Sequence, residues 1–170
     1  MITTVLIEHP WLTTAALTAL VLGAPFAVPW LATHRRVTQL LLAVSVAVVL
    51  LLTLSPTSAS PADRCAIEWS APRLGRVELM ANLVLFAPPV GLVAILTRRP
   101  LLALAVGSAA SVLIETVQLG LPALGRSCST NDWLYNSLGA ALGVAIAVAG
   151  RAVSARWDGS AARRPRDRDG

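Results

Sequence analysis

Six side chains combine polar chemistry with an apolar setting: Asn82, Glu115, Gln118, Arg126, Asp132 and Asn136. Glu115 follows a run without any charge, Leu101 to Ile114, and is followed closely by Val117 and Leu119. An ionisable group inside such a run is expensive in a membrane and marks a candidate functional position. Glu115 and Gln118 are three residues apart, Asp132 and Asn136 four apart, and Glu78 and Asn82 four apart. Each pair therefore shares one face of a helix. Glu115 is a candidate general base and Arg126 a candidate phosphate ligand. Glu78, Glu115 and Asp132 offer hard oxygen donors, but their spacing does not define a metal set. The sequence implies no cofactor and shows no nucleophile–base pair.

These residues also have plainer uses. Ser129 and Asp132 match the spacing of a capping box. Glu78 suits the first turn of a helix, where the dipole favours a carboxylate. Asn82 and Asn136 suit hydrogen bonds between membrane helices. Glu115 suits a structural pairing with Arg126.

The elements that position them follow from composition. The chain has 170 residues, 55% hydrophobic and only 14% charged, with a mean hydropathy of +0.68. Soluble domains carry about 25% charged residues, so a water-soluble enzyme and a disordered chain are both excluded. Five apolar runs match the roughly 20 residues that cross a bilayer. They cover about Trp11 to Trp30, Val37 to Leu54, Leu79 to Thr97, Leu101 to Leu119, and Asp132 to Gly150. The expected fold is an all-α membrane protein, a bundle of about five transmembrane helices, because a lipid-exposed span must satisfy its own backbone. The first run reads as a retained span, since its leader, Met1 to Pro10, holds Glu8 and no basic residue. Residues 1–157 form one domain, and the Arg- and Asp-rich tail, 158–170, is expected to be disordered and cytoplasmic.

The net charge of +5 comes from 14 arginines and no lysine. The arginines cluster between apolar runs, which is the pattern of membrane-flanking charge, so nucleic acid is not an expected partner. Arg35, Arg36, Arg98, Arg99, Arg151, Arg156 and the tail arginines fall on one side of the five spans. Arg64, Arg73, Arg76 and Arg126 fall on the other, diluted by Asp63, Glu68 and Glu78. The positive-inside rule then predicts N-out/C-in. It also places Cys65 and Cys128 in two outer loops, Ser55 to Val77 and Gly120 to Asn131, on an oxidising side where a disulfide between them persists. The polar pairs gather at the same outer depth, which predicts one acid-and-amide pocket there. Gly139 and Gly143 form a GxxxG pattern, and Gly107 and Ser111 repeat it, both permitting close helix approach. Pro25, Pro29, Pro88 and Pro89 are expected to kink their spans.

Three segments, in order, resemble the VanZ-like family of bacterial integral membrane proteins: NLVLFAPPVG (Asn82 to Gly91), IETVQL (Ile114 to Leu119) and RSCSTNDWLYNSLGAALG (Arg126 to Gly143). The matching positions are Asn82, Phe86, Pro88, Glu115, Gln118, Arg126, Asp132, Asn136, Gly139 and Gly143. Leu52 to Pro56 is similar to the end of the family's preceding span. The resemblance covers about residues 40–149. It departs at Val90, where the family usually carries Gly; here Gly91 comes one later, after an extra Pro89.

The resemblance implies a multi-pass protein of the bacterial cell membrane and a part in glycopeptide resistance of the teicoplanin type. It carries over no catalytic residue. Membrane lipids are the expected partners, with a lipid-linked cell-wall precursor or a lipoglycopeptide as ligand. The favoured expectation is a non-enzymatic envelope protein binding such a ligand at the outer leaflet. The alternatives are a small membrane enzyme acting on an envelope lipid with Glu115 as general base, and a structural or assembly subunit.

Overall fold

A computed structural model describes residues 8–9, 11–57, 65–71 and 77–162, with side chains of 157–162 left aside. Five long helices make up almost all of it: α1 (Trp11–Thr33), α2 (Arg35–Leu54), α3 (Val77–Thr97), α4 (Pro100–Gly120) and α5 (Thr130–Ala162). Their apolar windows have mean hydropathies between 1.7 and 2.5, and all five are long enough to cross a membrane. Large apolar side chains such as Leu22, Phe26, Leu40, Leu51, Leu101 and Leu113 face outward. An apolar belt of that extent suits lipid rather than water.

The helix bounds sit within about two residues of the expected spans, apart from two ends. α1 continues to Thr33, three residues past Trp30. α5 runs on to Ala162, so the domain boundary placed at 157 falls inside a helix. The rest of the tail, 163–170, lies outside the described residues. So do most of the leader, the loop positions Ser58, Ser60, Pro61, Asp63 and Arg64, and Pro72, Arg73 and Arg76. Both helices that contain proline pairs run through them without a break.

α1 and α2 turn on His34, whose ring stacks on Trp30 at 4.3 Å between centroids. Thr38, fully buried, donates to the Leu31 carbonyl at 2.7 Å and so pins the two helices at this turn. α3 and α4 turn on Arg98, which adopts a left-handed backbone (φ 57°). Each hairpin is therefore antiparallel, and α5 returns to run parallel to α3.

α3 is the most buried span, and its main partner is α5. The contact is backbone against backbone. A Cβ at Gly139 would strike the Leu83 carbonyl, and one at Gly143 would strike the Ala87 carbonyl oxygen and the Gly91 nitrogen. The GxxxG pattern thus serves contact with α3. Gly107 on α4 faces Val90 and Ala140, and Gly150 faces Val28 and the Pro25 carbonyl of α1. Val28, Val90, Ala94, Ala103, Ala140 and Ala147 form the largest buried cluster. Gly143→Ala must push α3 and α5 apart, and overpacking costs about 1–3 kcal/mol. We expect a clear fall in unfolding temperature in detergent, with Ala147→Gly giving a smaller loss.

Candidate functional site

The end of the bundle opposite the α1–α2 and α3–α4 turns holds the six candidate side chains. Two connecting segments meet over it. Cys65–Ala66 and Cys128–Ser129 pair as two short parallel strands, β1 and β2, with Cys65 opposite Cys128 and Ala66 opposite Ser129. Cys65 and Cys128 are joined in a disulfide. The sequence reading expected the disulfide but holds no sign of the strand pairing of β1 with β2, because a two-residue strand leaves no periodic trace.

The segment after β1 is strapped to the start of α5. Thr130 Oγ1 donates to the Glu68 carbonyl at 2.6 Å and accepts the Glu68 amide at 2.8 Å. The Ser70 amide donates to Asn131 Oδ1 at 2.9 Å. Trp69 meets Trp133 edge to face, 6.2 Å between centroids. On the other flank, Thr57 donates from both its amide and its hydroxyl to the carbonyls of Leu124 and Gly125. Gly125 (φ 59°) supplies the left-handed turn that ends the short 3-10 helix Pro122–Leu124.

Each candidate residue is a cross-link between elements. Asn82 Nδ2 on α3 donates to Asp132 Oδ1 in the first turn of α5, at 2.7 Å. Glu115 Oε2 on α4 accepts the Ser129 amide of β2 at 2.8 Å. Gln118 Nε2 on α4 donates to the Thr53 carbonyl of α2 at 2.8 Å. Asn136 Nδ2 on α5 donates to Ser111 Oγ on α4 at 2.9 Å, fully buried. Glu78 lies exposed in the first turn of α3.

Arg126 departs from its expected pairing with Glu115. Its Nε donates to the Ser55 carbonyl at 3.0 Å and its Nη2 to the Leu52 carbonyl at 2.9 Å. Both acceptors lie at the C-terminal end of α2, which has no basic residue in its own last turn. The last carbonyls of a helix lack intrahelical donors and carry partial negative charge, so they draw the guanidinium. Half of the capping box forms: Ser129 Oγ accepts the Asn131 amide at 3.2 Å, as an N-cap does, but the Ser129 amide goes to Glu115 Oε2 and Asp132 Oδ1 is taken up by Asn82.

Glu78, Glu115 and Asp132 do not converge as a cation site. Among the described residues no three His, Cys, Asp or Glu side chains form a set able to hold a metal. Several participants carry no signal in the sequence: Thr53, Thr130, Asn131, Trp69 and Trp133; Ser111 reads there only as a small residue that permits close helix approach. Four buried polar atoms have no hydrogen-bond partner among the described residues: Gln118 Oε1, Trp133 Nε1, Tyr135 Oη and Asn136 Oδ1.

Five membrane-length helices, with a disulfide-clasped polar end, define a multi-pass membrane protein whose carboxylates and amides bind its helices to one another. The chain belongs to the VanZ/LLP1 family, whose model matches residues 11–151. The match takes in α1, beyond the residues 40–149 that carry the resemblance in the sequence. No curated protein and no solved structure matches the chain.

Two outcomes test this geometry. Replacing Cys65 and Cys128 by Ser should lower stability by about 2–4 kcal/mol, read as a lower unfolding temperature; alkylation before a non-reducing gel should reveal no free thiol in the native protein. Arg126→Lys should cost about 1–2 kcal/mol, because a lysine point charge does not reproduce a planar fork spanning two carbonyls.

Proposed function

We propose that this protein is a component of the bacterial cell envelope, resident in the plasma membrane with its N terminus out and its C terminus in. On this reading its polar end engages a lipidated or lipid-linked ligand at the outer leaflet and lowers sensitivity to teicoplanin-type glycopeptides. The disulfide between Cys65 and Cys128 is the observation that carries the reading, since such bonds persist on the oxidising side of a membrane. The arginine-rich turns lie at the opposite end, in keeping with positive charge inside. Family membership supports the glycopeptide connection, and the clasped cluster of Asn82, Glu115, Gln118, Arg126, Asp132 and Asn136 supplies the donors and acceptors. An enzymatic role for Glu115 has less support, because its Oε2 already accepts the Ser129 amide.

Expression in a sensitive Gram-positive host tests the proposal. Wild type should raise tolerance to teicoplanin several-fold and to vancomycin much less. Glu115→Gln should lose most of that gain at equal membrane levels, since the amide oxygen of Gln still accepts from Ser129 and spares the fold. Unchanged susceptibility with a well-expressed wild type would refute the function. A C-terminal reporter active only after export should stay silent, and its activity would reverse the orientation.

A further inference from the structure

We propose that a lateral groove between α2, α3 and α4 holds one acyl chain of an amphiphile, with Gln118 and Glu115 at its head end. The proposal rests on the reading that the ligand carries a lipid, and it deepens that reading by naming where the lipid lies. The groove, open along one side, offers about 200 Å³, and every residue lining it is apolar. Val46 and Val49 form the α2 wall, Phe86 and Val90 the floor on α3, and Ala110 and Ile114 the α4 wall. It exists because α2 and α4 each pack on α3 while barely meeting one another. Along α4 it extends from Ala103 to Ile114, about 16 Å at 1.5 Å per residue. That is more than half of a hydrocarbon core roughly 30 Å thick.

Size and surroundings select the occupant. A helix about 10 Å across over the same length of about 16 Å would occupy on the order of 1,000 Å³, several times the volume of the groove, so a helix of a second copy or of another protein does not enter it. Apolar cavities of about 150 Å³ exclude water and admit apolar guests. A single hydrocarbon chain fits both limits. The groove also opens on walls that face lipid: Val46, Leu50, Val106 and Leu113 are all substantially exposed.

One helical turn beyond Val49 and Ile114 stand Thr53 and Gln118, joined across the two walls by the Gln118 Nε2 bond to the Thr53 carbonyl. This crossbar roofs the groove at its polar end. Gln118 is only 6% exposed, and its Oε1 has no hydrogen-bond partner among the described residues. A buried acceptor left unpaired is costly. A headgroup with a hydroxyl, amide or ammonium donor close to its acyl chain would satisfy it, and the neighbouring Glu115 carboxylate favours the same polarity.

The test uses the full chain in vesicles of phosphatidylglycerol and phosphatidylethanolamine. The probe is lysophosphatidylethanolamine with a photoreactive diazirine at mid-chain, its attachment sites mapped by mass spectrometry. Label should concentrate on Val46, Val106 and Ala110, at least five-fold above Leu22 and Phe26 on the exposed face of α1. Ala110→Trp should cut the groove label at least five-fold and leave the α1 label unchanged. Val46→Trp should act alike if Ala110→Trp fails to form the disulfide. Gln118→Leu should weaken capture of the lysolipid several-fold but not that of a diazirine alkane. Even labelling over all lipid-facing surfaces, or groove label untouched by either tryptophan, overturns the proposal. A labelled groove with no change in glycopeptide susceptibility would sink the functional reading and leave the groove standing; the reverse pattern would do the opposite.

Discussion

The parallel register of α3 against α5 is the constraint on which the other contacts rest. Glycines at 139 and 143 let the two backbones touch, Leu83 against Gly139 and Ala87 against Gly143. Continue two turns along both helices and the same alignment brings Arg151 to α3, where it donates to the Ala94 carbonyl at 2.6 Å. Continue toward the other end and Asn82 reaches Asp132. A pair of interlocked backbones tolerates no sliding, because any shift drives a side chain into a carbonyl. Both polar ends of the molecule are thus set by residues that carry no polar chemistry themselves.

A second theme is the treatment of helix C termini. Neither α2 nor α3 has a basic residue in its last turn. Each is capped in trans instead, α2 by Arg126 and α3 by Arg151. Exposed carbonyls near a hydrocarbon core cost free energy that water cannot offset there, so an arginine lent by another element stabilises the end and also fixes the lender's position. Arg126 holds the segment before β2 against α2, which keeps the disulfide over the bundle.

Much of this architecture was legible in the sequence. Spans are readable because a bilayer imposes a length and a composition. That Asn82, Glu115, Gln118 and Asn136 lie toward one end of the bundle was readable from their spacings and their distance from the span ends, although Asn136 meets Ser111 about two turns deeper than Gln118. Their partners were not. Asn136 bonds to a serine hydroxyl on α4 and Gln118 to a backbone carbonyl on α2; a lone hydroxyl has no periodicity, and a carbonyl belongs to every residue. Charge alone suggested Glu115 for Arg126, because a sequence does not advertise which helix ends lack a donor. The sequence reading expected an acid-and-amide pocket at this end; in the structure those side chains tie elements to one another, and an apolar groove lies beside them. Leu42, Val46 and Val49 look like any lipid-facing stripe until the splay of α2 and α4 is known.

The disulfide has a consequence for biogenesis. Cys65 and Cys128 lie on either side of the α3–α4 hairpin, so two spans separate them along the chain. They stand on the same face of the membrane when both spans have been threaded, and on opposite faces when only one has. Loss of one span during insertion would strand one thiol on each face, and the bond could not close. The covalent link is therefore a record of correct insertion, written after synthesis and readable in a single mature molecule.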